Sequence, residues 1–107
     1  VDSMPSSAMQ EDHVSMGWGG ARELRRALDG LTRVLAVEVL TAARGIDLRA
    51  PLTPAPATGA VVAALRADGI PGPGPDRHLA PEIERAVALV RSGAVRGAAE
   101  AACGPLA

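Results

Sequence analysis

Apolar residues recur at steps of three and four through the first half of the chain. Leu24, Leu28, Leu31, Leu35, Val39, Ala42 and Ile46 form the stripe, which has the period of one helix face. Arg22, Arg25, Arg26 and Asp29 fall off it. Ser15 is the candidate N-cap, so the pattern predicts one helix over residues 15–46. Gly17, Gly19 and Gly20 weaken its first turns by up to about 1 kcal/mol each relative to Ala, and would let a neighbouring helix come close. Between Val34 and Ala43 only Glu38 and Thr41 interrupt the apolar surface, the pattern of a helix buried on most sides. Roughly 30 residues at ~1.5 Å rise span about 45 Å. A compact domain of about 100 residues has a radius of gyration of about 13 Å. Such a helix outreaches a self-contained domain of this size, which predicts one rod of a larger helical bundle.

The remaining pattern is shorter and more broken. Residues 1–14, punctuated by Pro5, Ser6 and Ser7, read as loop. Residues 47–107 read as short helices and Pro/Gly-rich connectors. Pro51, Pro54 and Pro56 mark the first connector. Thr58 is a candidate cap for a second helix, about residues 59–67, carrying Val61, Val62 and Leu65. The alternating Gly and Pro of residues 69–75 predict a structureless turn segment. Ala80-Pro81-Glu82 opens a third helix, because Pro fits a first turn and Glu complements the positive end of the dipole. Ile83, Val87 and Val90 line it up to Ser92-Gly93, and a fourth segment follows over residues 94–102. No strand and no internal repeat is predicted; the fold class is all-α.

Composition sharpens this picture. Of 107 residues 48% are hydrophobic, yet there is no Phe, no Tyr and one Trp, Trp18. Without the large rings that fill ordinary cores, helices must pack closely through Ala, Val and Leu, or belong to a core that lies elsewhere. The eleven basic residues are all Arg, and the net charge of −1 carries no nucleic-acid footprint. The single cysteine, Cys103, cannot form an internal disulfide and reads as a free thiol in a reducing compartment. No apolar run approaches the roughly 18 residues of a membrane span. The N-terminus lacks the basic start and apolar stretch of a signal peptide. The chain opens on Val1 rather than Met, which predicts a translation start upstream.

Chemistry is concentrated in Gln10-Glu11-Asp12-His13-Val14-Ser15-Met16. Consecutive residues of a helix point about 100° apart, and metal-binding pairs on helices use i, i+4 spacing, so this run does not predict a metal site. As a loop entering a helix it can aim one carboxylate at a ligand. By itself, such a run is most often a solvated turn with a capping Asp. His13 and Ser15 do not constitute a triad, since nothing in the spacing sets their geometry. Gly17-Trp18-Gly19-Gly20 lacks the preceding strand and the Lys of a phosphate loop, which leaves helix–helix contact as its reading. His78, in Asp76-Arg77-His78-Leu79-Ala80-Pro81, reads as a surface or packing histidine, and Asp76 and Arg77 as ion-pair partners, local or between subunits.

The run from Ser6 to Trp18 resembles the C-terminal motif of histidine ammonia-lyases of actinobacterial type, within the aromatic amino acid lyases. The similarity continues through Leu31-Thr32-Arg33-Val34-Leu35-Ala36-Val37-Glu38 and residues 41–49. It resumes at Pro73-Gly74-Pro75-Asp76-Arg77 and Leu79-Ala80-Pro81-Glu82. It covers nearly all of these residues but only about the last fifth of a complete family member. His78 departs from the aromatic residue expected at that position.

The resemblance implies a helical-bundle subunit of a cytoplasmic homotetramer with active sites shared between subunits, in which residues 1–14 are an active-site loop. It implies non-oxidative deamination of L-histidine to trans-urocanate and ammonia, in histidine degradation, without metal, nucleic acid or membrane. The family's electrophile is 4-methylidene-imidazol-5-one (MIO), formed from an internal Ala-Ser-Gly. That tripeptide is absent here, and so are the family's tyrosines, so the chain alone is expected to be inactive. Glu11 matches the motif's active-site glutamate, as base or as partner of the substrate imidazole. Gln10 matches a neighbouring polar position and is a candidate second substrate contact. Asp12, His13 and Ser15 match as scaffolding. The alternatives are a non-catalytic helical interaction or oligomerisation module and a tyrosine or phenylalanine ammonia-lyase. A carboxylate suits imidazole better than a plain aromatic ring, which argues against the latter.

Overall fold

The computed structural model of the chain describes residues 3–5, 13–15 and 17–107. The fold is all-α, as the pattern predicts. Helices α1 (Gly17–Asp47), α2 (Pro56–Ala67), α3 (Ala80–Ser92) and α4 (Ala94–Cys103) carry it. Two compact units divide the chain, Val1–Leu31 and Thr32–Ala107.

In the first unit, strands β1 (Ser3–Pro5) and β2 (His13–Ser15) pair antiparallel, with Ser3 opposite Ser15, Met4 opposite Val14 and Pro5 opposite His13. This departs from the loop expected over residues 1–14. Three residues are too short to show a period-two alternation, so no sequence signal announces the ladder. Ser15 lies in β2 and is not the helix cap; α1 begins at Gly17. Along its first half Leu24, Leu28 and Leu31 are all more than half exposed.

In the second unit the core comprises Ala36, Ala43, Leu65, Ile70, Ala86 and Val87. Val39, Leu40, Val62, Ile83, Leu89 and Val90 pack around them. The buried line on α1 is therefore Ala36, Val39, Leu40 and Ala43. It is rotated from the predicted stripe and shares only Val39 with it. Hydrophobicity alone ranks Leu above Ala, whereas close approach of helices favours the small side chain. Alanines at 36 and 43, one heptad apart on the same face, let the neighbouring elements come in. Val34, Leu35 and Val37 remain exposed, so the second unit covers only one side of the broad apolar surface.

The helix ends follow local chemistry. α2 starts at Pro56, two residues before Thr58, and has no side-chain cap. Pro lacks the N–H that a first turn leaves unpaired and holds the φ the helix needs, so Pro56 displaces Thr58 as the starting residue. α3 opens at Ala80 with Pro81 and Glu82 in its first turn and stops at Gly93, whose φ is 81°. That left-handed residue also precedes α4, turning the chain with no linker so that α4 packs against α2 and α3. Leu65 and Ile70 are each only 1% exposed. The Ile70 N–H donates to the Leu65 carbonyl across the end of α2, which turns the chain back over the core.

Candidate active site

Of the segment carrying the candidate chemistry, the structure describes His13–Ser15. Backbone pairing with Ser3–Pro5 fixes His13–Ser15 as a strand, and α1 begins two residues later. Gln10, Glu11 and Asp12 lie outside the described residues, as does Met16.

The first turns of α1 present Trp18, 78% exposed, which lines a shallow pocket with Ala21, Arg22 and Arg25. A Cβ placed on Gly19 or Gly20 would meet nothing within 4 Å. The close helix contact expected at these glycines is thus not made among the described residues.

Asp76, Arg77 and His78 lie in the second unit. Arg77 donates through Nε to Glu82 Oε1 at 2.5 Å and through Nη2 to Glu82 Oε2 at 3.2 Å. This bidentate pair is well covered, with the side chains 26% and 13% exposed. The hydrogen bond from Arg77 holds the Glu82 carboxyl below its ordinary range, against the opposing effect of burial, and the guanidiniums of Arg77, Arg44 and Arg66 add to the lowering. The same bond raises the Arg77 guanidinium. His78 is exposed, as its surface reading requires. The local ion pair predicted for Arg77 is made, and its partner is Glu82, which the helix-start pattern marks only as a complement to the dipole. The signal was present: an Arg two residues before the N-cap and a Glu at the third helical position bring a guanidinium and a carboxylate to one helix end. Arg33 and Glu84 at 2.7 Å, Arg96 and Glu100 at 2.8 Å, and Arg66 and Asp47 also pair among the described residues.

With this arrangement established, comparison with known proteins assigns the class. The chain belongs to the aromatic amino acid lyases, whose family model matches residues 1–67. Among its relatives, the histidine ammonia-lyase of Streptomyces coelicolor is 64% identical over 106 residues, 99% of this chain and 21% of that protein. That of Streptomyces avermitilis is 60% identical over 107 residues, again 21% of its length. That of Symbiobacterium thermophilum is 50% identical over 106 residues. The chain therefore spans about a fifth of the length of the curated relatives it matches.

Proposed function

We propose that these residues form the C-terminal part of a histidine ammonia-lyase, which converts L-histidine to trans-urocanate and ammonia. The observation that carries the reading is the 64% identity to the Streptomyces coelicolor enzyme across 99% of the chain. The relatives' names favour histidine over tyrosine or phenylalanine as substrate. In the whole cytoplasmic enzyme the subunits would form a homotetramer that shares its active sites.

The family's electrophile, MIO, is made from Ala-Ser-Gly. No such tripeptide occurs in these 107 residues; the only Ser-Gly pair, Ser92-Gly93, follows Arg91 at a helix end. The group is therefore supplied by other residues. What this chain contributes is the carboxylate of Glu11, with Gln10 as a second substrate contact. A carboxylate there serves in one of two ways. It takes the weakly acidic β-proton of the substrate, or it holds the imidazole by a charge-assisted hydrogen bond.

The test is a chimera in which these residues replace the matching fifth of the Streptomyces coelicolor enzyme, assayed for urocanate by its ultraviolet absorbance. The chimera is expected to turn over L-histidine, whereas the 107-residue chain alone yields none. Glu11→Gln in the chimera should lower kcat/KM by about 10²- to 10⁴-fold. The loss falls on kcat for a base and on KM for an imidazole partner. A chimera that assembles like its parent yet makes no urocanate would sink the proposal and favour an interaction module. Turnover by the isolated chain would refute the division of labour.

A further inference from the structure

The Gly- and Pro-rich segment between α2 and α3 has neither helix nor strand, yet the carbonyls of its first four residues are all held. Arg85 donates to the Gly69 carbonyl at 3.0 Å. Arg66 donates to those of Ile70 at 3.1 Å and Pro71 at 3.2 Å. Arg77 donates to that of Gly72 at 3.0 Å. Two of these guanidiniums are gripped in turn by carboxylates from other elements: Arg66 by Asp47 at the end of α1, and Arg77 by Glu82 in α3. Below the carbonyls, Ile70 is buried in the core.

The composition of the segment matches this arrangement. A Cβ on Gly69, whose φ is +84°, would meet Arg85 Nη1 at 2.9 Å. One on Gly72 would meet Asp47 Oδ2 at 3.2 Å, and one on Gly74 would meet Arg77 Nη1 at 3.3 Å. The glycines stand where the charged groups come closest, and the intervening prolines have no N–H to leave unpaired.

We propose that residues 69–72 are a strap locked over the core by Arg66, Arg77 and Arg85, with Asp47 and Glu82 as the catches that hold the first two guanidiniums in place. The strap fixes the spacing of α2 and α3 by charge-assisted hydrogen bonds rather than by regular backbone pairing. It is independent of the catalytic proposal, since every group involved lies in the second unit. Asp47 and Glu82 are positioning residues: they act on the strap only through arginines.

Trypsin reads the lock directly, because it cleaves after arginines and Arg66 and Arg77 flank the strap. Cleavage of the chimera with the Streptomyces coelicolor enzyme is followed bond by bond by mass spectrometry, with the bond after the exposed Arg49 as internal reference. Glu82→Gln should raise the rate after Arg77, relative to that after Arg49, on the order of tenfold, because cleavage tracks the population of the open form. Asp47→Asn should do the same after Arg66. Glu82→Asp, which keeps the charge, should restore most of the protection. An unchanged ratio in Glu82→Gln, with helix content intact by circular dichroism, overturns the proposal. So does a parallel rise at both bonds, which reports global loosening instead of release of the strap.

Discussion

Replacing Ile70 with Ala tests whether an irregular segment anchors the core of the second unit. Ile70 is 1% exposed and belongs to the buried cluster with Ala36, Ala43, Leu65, Ala86 and Val87. Removing most of a fully buried aliphatic side chain forfeits about 1.5–3 kcal/mol of transfer free energy, and an unrelaxed cavity adds to it. The strap above Ile70 is held at four carbonyls, so it cannot easily sink to fill the space. The expected loss is about 3 kcal/mol, within the range for Ile→Ala. A unit of this size is stable by roughly 4–11 kcal/mol, so the change would remove a large part of the total. The assay is thermal and urea unfolding by far-ultraviolet circular dichroism. At about 4–8 °C per kcal/mol for a small domain, Tm should fall by about 12–24 °C. Leu79→Ala is the control, since Leu79 is 39% exposed and should lose about 1 kcal/mol. Equal losses for the two variants would refute the reasoning, because they would mean that Ile70 is no more buried in solution than Leu79.

Two further outcomes follow from the same geometry. Gly93→Ala should cost about 1–2 kcal/mol, because φ of 81° at the α3–α4 junction is left-handed and a Cβ is strained there even with open space around it; a Tm equal to wild type would contradict this. Acidification should destabilise the second unit. Glu82 and Glu84 are lowered by hydrogen bonds from Arg77 and Arg33, and Glu100 by the Leu106 N–H and then by Arg96. Since the folded values lie below the ordinary 4.5, these groups contribute fully above that pH, and their contribution is lost as pH falls through the folded values. Urea midpoints should be level on this account above about pH 5 and decline below it; a midpoint that rises between pH 5 and pH 3 would refute the sign.

The sequence by itself determined the all-α class, the long helix, the third and fourth helices nearly to the residue, and the family. Each rests on local or linear information: a 3.6-residue period, Pro in a first turn, Gly at a helix end, and a motif running from Ser6 to Trp18. Its proposal of Gln10 and Glu11 as site residues falls outside the described residues. Only the tertiary structure decided which side of α1 is buried. Hydrophobicity weighs Leu above Ala, but the positions of α1 that the core buries are Ala36 and Ala43, where a small side chain leaves room for what packs over it. It likewise turned an apparently structureless Gly-Pro segment into a held strap. The bonds that tie it to other helices are remote in sequence, Asp47 lying 19 residues from Arg66 and Arg85 16 from Gly69, whereas Arg66 and Arg77 reach carbonyls only four or five residues away; no local pattern can report the remote bonds, which form only once the helices have met.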